Sequence, residues 1–396
     1  MAKDLETIND VLKNIQKKYG EGIASVGAED IYSIGELSLG SPGFDFCIYG
    51  GLPEGRIIEF SGSEGAGKSL SAALAAASYQ REEIKRNPDN PRSIVYLDSE
   101  CTVDRAWNAK LGYDMSKDAI VPTIYIRPEN QSAEQLFDIA LDFLRTGQVG
   151  LLIFDSIATL VPAQIADESM EKYQMGGIAK SLTRFANTAL GYLKMYKATL
   201  IAINQVRENM TGYGDALITP GGRSWKHACS MRLMFKRGDF FDDEGNVLTK
   251  KAESPAGHII EMYVLKTKTC KWDRKLGMAH LNYVKGIDWL QDTIDVAIHL
   301  GYIDNSVQGT FKMIDPDTGE VEKDDAGNEI KIRGRKNVYT YFQANPTIAR
   351  KLYDKCYERM KVREDTNIVS FEKMLNININ EQLGLDPNKN VNLEEA

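Results

Sequence analysis

The stretch Phe60-Ser61-Gly62-Ser63-Glu64-Gly65-Ala66-Gly67-Lys68-Ser69 constrains this chain more than any other. Residues 62–69 read G-x-x-x-x-G-K-S, and that pattern means something only between a strand and a helix. Both are legible here. Ile57-Ile58-Glu59-Phe60 ahead of it is an apolar strand-like run, and Leu70-Ser71-Ala72-Ala73-Leu74 behind it is rich in helix formers. Gly62, Gly65 and Gly67 let the backbone turn tightly, so that the N–H groups of Ser63, Glu64 and Ala66 can converge on a polyphosphate at a helix N-terminus. Lys68 would then meet the terminal phosphates, and the Ser69 hydroxyl would meet Mg²⁺.

Around this loop the chain alternates apolar strands and helical segments from about residue 45 to 300, the pattern of a parallel α/β sheet. Ser93-Ile94-Val95-Tyr96-Leu97-Asp98 and Gly150-Leu151-Leu152-Ile153-Phe154-Asp155 both end in acids. Thr199-Leu200-Ile201-Ala202-Ile203 ends in Asn204-Gln205. Polar groups at the carboxyl ends of parallel strands are where α/β proteins place chemistry. Asp155, at what reads as the next strand end from the phosphate loop, is the expected metal partner of Ser69. Glu100, just past its strand, suits a general base acting on water, and equally a solvated loop acid. Residues 230–235 and 259–264 flank an acidic, turn-rich excursion, which predicts antiparallel pairing. Ser132 and Gln135 stand in capping-box positions ahead of a helix through about Arg145.

The ends differ from this core. Leu5, Ile8, Val11, Leu12 and Ile15 predict an amphipathic helix of about 15 residues, stopped at Gly20. Its stripe can dock on its own core or on a neighbour. Residues 301–340 carry two turn signals between short β-like runs, and a helix is expected from about Pro346 to Met360.

Composition narrows the classes. With 43% hydrophobic and 26% charged residues and no apolar run near ~18 residues, no membrane span is expected. The start, Met1 to Glu6, has no apolar signal core, and five scattered cysteines read as reduced thiols, so a cytoplasmic location is expected. A net charge of −8 argues against holding nucleic acid by bulk electrostatics, so any DNA contact must be local.

Taken together, Gly51-Leu52-Pro53-Glu54-Gly55-Arg56, the phosphate loop, Leu97-Asp98-Ser99-Glu100, Leu152-Ile153-Phe154-Asp155-Ser156, Ile203-Asn204-Gln205-Val206-Arg207 and Pro220-Gly221-Gly222 resemble the bacterial RecA recombinases. Gln16-Lys17-Lys18-Tyr19-Gly20 and Gly286-Ile287-Asp288 extend the likeness over roughly residues 10–302. Past 302 the chain departs from the bacterial proteins and is more similar to the RecA-type recombinases of large tailed phages.

The resemblance implies a RecA-type P-loop ATPase with a mostly parallel central sheet. The expected domains are an N-terminal oligomerisation helix and linker (1–35), an ATPase core with two DNA loops (36–302) and a C-terminal α+β lobe and tail (303–396). It implies ATP and Mg²⁺ as cofactors, with Glu100 activating water, Asp104 and Trp107 on the adenine, and Gln205 sensing the γ-phosphate. It implies that Lys266 and Lys268 reach the neighbouring subunit's nucleotide. DNA would be held by a first loop of about residues 162–177, with Met175, Gly176 and Gly177, and by a second of about 207–222, with Arg207, Met210, Tyr213, Gly221 and Gly222, and Arg223 just beyond. Trp107 stands where that family usually has tyrosine, and His227 where it has phenylalanine. The function implied is an ATP-dependent recombinase that forms helical filaments on single-stranded DNA, pairs them with duplex DNA and meets single-strand-binding and mediator proteins. A hexameric helicase-like motor or a non-catalytic mediator would share the nucleotide motifs.

Overall fold

The computed structural model describes residues 7–20, 24, 34–163, 177–208, 217–242, 245–249, 253–323 and 327–361. The chain divides into two compact units, Met1–Asp295 and Val296–Ala396.

In the first unit the described residues form a ten-stranded sheet. Its strands are β1 (Ile57–Gly62), β2 (Ser93–Asp98), β3 (Thr123–Ile126), β4 (Val149–Asp155), β5 (Thr199–Gln205), β6 (Met231–Phe241), β7 (Val247–Leu248), β8 (Gly257–Thr267), β9 (Leu276–Asn282) and β10 (Gly286–Ile287). The order is β10-β9-β8-β6-β1-β5-β4-β2-β3, with β7 paired to β6. From β6 to β3 every pairing is parallel, and β6, β8, β9 and β10 continue antiparallel, as expected for residues 230–264.

One expectation is corrected here. Asp155 does not end the strand beside the phosphate loop, because β5 lies between β1 and β4. Chain order does not give spatial order in a parallel sheet, since each crossover can skip a place. The intervening strand carries Gln205 at its end.

Period-two alternation explains why both faces are covered. Ile58, Phe60, Ile94, Tyr96, Leu151, Ile153, Ile201 and Ile203 enter one core, against the alanine-rich face of α3 (Lys68–Arg86). Ile57, Val95, Leu97, Leu152, Phe154, Leu200 and Ala202 enter the other, with residues of α5 (Ala133–Arg145) and α6 (Gly177–Tyr196). The predicted capping box is present: the Ser132 hydroxyl accepts the Gln135 N–H, and the Gln135 side chain accepts the Ser132 N–H. Shorter helices in this unit are α2 (Pro42–Cys47), α4 (Arg105–Lys110) and α7 (Gly222–Ala228), and α8 spans Trp289–His299.

The N-terminal helix α1 runs Ile8–Tyr19, shorter than predicted, and Leu5 lies outside the described residues. Its start is set by Thr7, which exchanges hydrogen bonds with Asp10 in a capping box. It buries none of its residues; Ile8 and Tyr19 are exposed. Docking on its own core, one of the two readings of its apolar stripe, is therefore not what the described residues show.

The second unit holds a three-stranded antiparallel sheet of β11 (Ile303–Asp304), β12 (Thr310–Met313) and β13 (Lys331–Arg333), followed by α9 (Arg335–Ala344) and α10 (Pro346–Lys361). The last helix falls where it was expected. All five cysteines are free, and among the described residues no helix is long and apolar enough to cross a membrane.

Candidate functional site

β1 enters the phosphate loop with Gly62 against its neighbour: a Cβ there would meet the Phe235 carbonyl oxygen at 2.4 Å. Gly67 leaves the loop at φ +91° and caps α3 without a side chain, and a Cβ on it would press on Ile260 at 3.0 Å. Only glycine meets both demands. Ser63, Glu64 and Gly65 are exposed and Ala66 is buried, so the loop presents its outer arc and anchors its base. The result is an open cradle at the N-terminus of a 19-residue helix.

Lys68 is only 9% exposed, and its Nζ donates to Ser63 O at 2.7 Å across the loop. Burial holds its pKa below the ordinary lysine value, and the carboxylates of Glu100, Asp155 and Glu64 pull the other way. The Ser69 hydroxyl donates to Asp155. Asp155 is buried, receives the Tyr96 hydroxyl at 2.9 Å, and has its pKa pushed up to about 6 by burial, against the lowering effect of those two hydrogen bonds. Although β5 separates β4 from β1, Asp155 at the end of β4 still meets Ser69 in the first turn of α3. A buried ammonium, a serine–aspartate pair and a loop with no room for a Cβ at Gly62 or Gly67 fit a magnesium–nucleotide.

Glu100 is exposed, yet it is fixed in place. Its Oε1 accepts from Ser156 Oγ at 2.7 Å and from Gln205 Nε2 at 3.0 Å. The solvated-loop reading does not require this convergence of three strand ends. Sequence reasoning assigns Ser156 no role of its own. Its place one residue beyond a strand end was the available signal.

Asp104 and Trp107 sit apart from this cluster in the described contacts. Asp104 is the N-cap of α4, its Oδ1 accepting from the Ala106 and Trp107 N–H groups at 2.9 and 3.1 Å. Trp107 is half-buried against the main core, with Lys110 Nζ 5.9 Å from its ring centre. Asp104 is exposed and Trp107 is not fully buried, so neither is closed off from solvent.

Lys266 and Lys268 converge on one set of carbonyls. Lys266 Nζ donates to the carbonyls of Lys226, His227 and Cys229, and Lys268 Nζ to that of His227 at 2.6 Å. Burial, then the charge of Lys268, lowers the Lys266 pKa. Both cations thus rest on the carbonyl end of α7, where a helix dipole favours them.

Of the loop residues, Met175, Gly176, Met210 and Tyr213 lie outside the described residues. Gly177 begins α6. Arg207 is exposed at the start of a two-stranded ribbon in which Arg207–Glu208 pairs with Leu217–Ile218. That ribbon is the stem of the second loop. Gly221, at φ +106°, caps α7, and Gly222 and Arg223 are exposed in its first turn.

Comparison with known proteins follows the same line. The family model described as the RecA N-terminal domain matches residues 6–288. Protein RecA of Fusobacterium nucleatum is 30% identical over 296 residues, covering 74% of this chain and 72% of that protein. Protein RecA of Macrococcus caseolyticus is 27% identical over 376 residues, 94% of this chain and 96% of that protein. Protein RecA of Malacoplasma penetrans is 29% identical over 340 residues, 85% and 91%.

Proposed function

This chain belongs to the RecA family of recombinases, and we propose that it works as a DNA-dependent ATPase that forms helical filaments on single-stranded DNA, pairs them with duplex DNA and exchanges strands. The observation that carries this reading is the shared Glu100 carboxylate oxygen, which ties Gln205 to the neighbouring strand ends. Gln205 ends β5, and Arg207 two residues on opens the stem of the second loop. An amide that lets go of Glu100 frees a base and moves the root of a loop in one event.

ATP with Mg²⁺ supplies the transferable phosphate and its first charge neutralisation. The protein's share is positioning and electrostatics. The N–H groups of residues 62–69 and the Lys68 ammonium cradle the phosphates. Ser69 and Asp155 hold the metal ion, Asp155 as carboxylate. Glu100 takes the proton of the attacking water, with Ser156 fixing its orientation. Asp104 and Trp107 border the adenine. Lys266 and Lys268 extend to the site of an adjacent protomer. Residues 162–177 and 207–222 grip single-stranded DNA, with Arg207 and Arg223 on phosphates and Met175, Met210 and Tyr213 near bases. The uncovered stripe of α1 packs on the next protomer, and residues 303–396 form the separate lobe. Single-strand-binding and mediator proteins are the expected partners.

Negative-stain imaging with single-stranded DNA and a slowly hydrolysed ATP analogue tests this. Helical filaments are expected. Closed rings or dispersed monomers at filament-forming concentrations would refute it.

A further inference from the structure

Beneath the second loop lies a buried polar cluster that the ATPase chemistry does not use. Glu59 sits mid-strand in β1 with no exposed surface. An isolated buried carboxylate would be costly, and this one is fully engaged. Its Oε1 accepts from Asn204 Nδ2 at 2.8 Å and from Trp225 Nε1 at 2.9 Å, and its Oε2 from the Arg232 guanidinium. Register explains the meeting: Arg232 is directly opposite Glu59 on β6, and Asn204 pairs with Ser61, two residues along β1.

The donors do more than neutralise Glu59. Arg232 Nη2 also donates to Thr219 Oγ1 at 3.0 Å, and Asn204 Nδ2 to Pro220 O at 3.0 Å. Both acceptors belong to the return leg of the second loop. Trp225, fully buried, is on α7, the helix that this leg enters. Asn204 directly precedes Gln205, and its own Oδ1 is buried without a hydrogen-bond partner. A purely stabilising ion pair has no need to reach the loop.

We propose that Glu59 is a positioning residue for the second loop. Through Arg232 and Asn204 it fastens residues 219–222 to the phosphate-loop strand, so that the nucleotide site and the loop move as one piece. The spare Asn204 Oδ1 gives a displaced return leg a second bonding position in place of open strain. This rests on the reading of residues 207–222 as a DNA site.

The decisive variant is Thr219→Val, which keeps shape and removes the hydroxyl that accepts from Arg232 Nη2 while leaving the Arg232–Glu59 pair in place. Glu59→Gln strips Arg232 of its carboxylate and can fail to fold. In the full-length protein, single-stranded DNA affinity is measured with ADP and with a slowly hydrolysed ATP analogue, together with analogue affinity and melting temperature. Thr219→Val should lower the gain of ATP analogue over ADP by about tenfold, the lower end of the range for a hydrogen bond with a charged donor. Analogue affinity should stay at wild type, melting should fall by no more than a few degrees, and Thr219→Ser should restore the gain. A wild-type gain in Thr219→Val overturns the proposal, as does a loss that Thr219→Ser does not restore. Arg207→Ala in the same assay separates the two readings. If it binds DNA as wild type does, the second loop is not a DNA site and both fall. If it weakens binding while Thr219→Val keeps the full gain, the anchor alone falls.

Discussion

Asp155 carries a cost in the nucleotide-free protein that can be read in its response to pH. Its pKa is pushed up from an ordinary 3.8 to about 6 by burial, with the Ser69 and Tyr96 hydroxyls opposing the change. An acid whose folded pKa is raised stabilises the fold fully below its unfolded pKa and loses that contribution as pH rises through the folded one. The window is therefore pH 3.8 to about 6. At about 1.4 kcal/mol per pH unit, the full loss is about 3 kcal/mol. Asp155→Asn keeps the volume and cannot ionise, so it removes the dependence. All four tryptophans (107, 225, 272 and 289) lie within the first unit, so their fluorescence during urea unfolding reports that unit. Without nucleotide or divalent metal, the stability of wild type relative to Asp155→Asn should fall by about 2 kcal/mol between pH 4 and pH 7, the rest of the loss lying below pH 4. Carboxylates that do not feel Asp155 cancel in the difference, whereas Glu100 and Asp98, whose charges help to raise its pKa, respond to the substitution in the same pH range. A difference that is flat, or that grows with pH, refutes the placement of a desolvated carboxyl beside Ser69 and Tyr96.

The other predictions concern turnover and assembly. Lys68→Ala should weaken ATP binding on the order of a hundredfold, the worth of a desolvated charged contact, and abolish DNA filaments; tight ATP-dependent DNA binding by the variant would count against it. Glu100→Gln should bind ATP and DNA normally while steady-state hydrolysis falls by about 10²- to 10⁴-fold, and unchanged turnover would remove Glu100 from the role of base. The double variant Lys266→Ala, Lys268→Ala should bind nucleotide without DNA stimulation, and mixing it with Lys68→Ala subunits should restore part of the stimulated hydrolysis. No recovery in a mixture shown to co-assemble on DNA would confine the lysines to their own chain.

What the sequence made legible was local. The phosphate loop is a run of eight residues whose glycines answer to backbone geometry, and the Ser132–Gln135 cap is a spacing of three. Asp155 was legible as a strand end, yet its neighbour was not, because the insertion of β5 between β1 and β4 is decided by crossovers that leave no mark on either strand. Asp104 shows a different limit. A short polar residue before Arg105-Ala106-Trp107 is an N-cap signal in its own right, and the described contacts give it that role. The Glu59 cluster was invisible for a third reason. Its partners Asn204, Trp225 and Arg232 lie 145, 166 and 173 residues away, and a lone acid between Ile58 and Phe60 reads as ordinary strand alternation.

That cluster gives the short helix α7 a place in the argument that its seven residues would not suggest. Its N-terminal turn carries Gly222 and Arg223 at the exit of the second loop. Its middle is pinned to Glu59 through Trp225. Its last carbonyls, with that of Cys229 just beyond, are occupied by Lys266 and Lys268. On the proposed reading, lysines that reach an adjacent protomer must first leave those carbonyls, and a helix that loses cations from its carbonyl end loses a favourable dipole interaction there. The cost falls on an element whose other end is the root of the DNA loop. Engagement of a neighbour's nucleotide and reordering of the loop are then two ends of one rigid piece, with Glu59 as the fixed point between them.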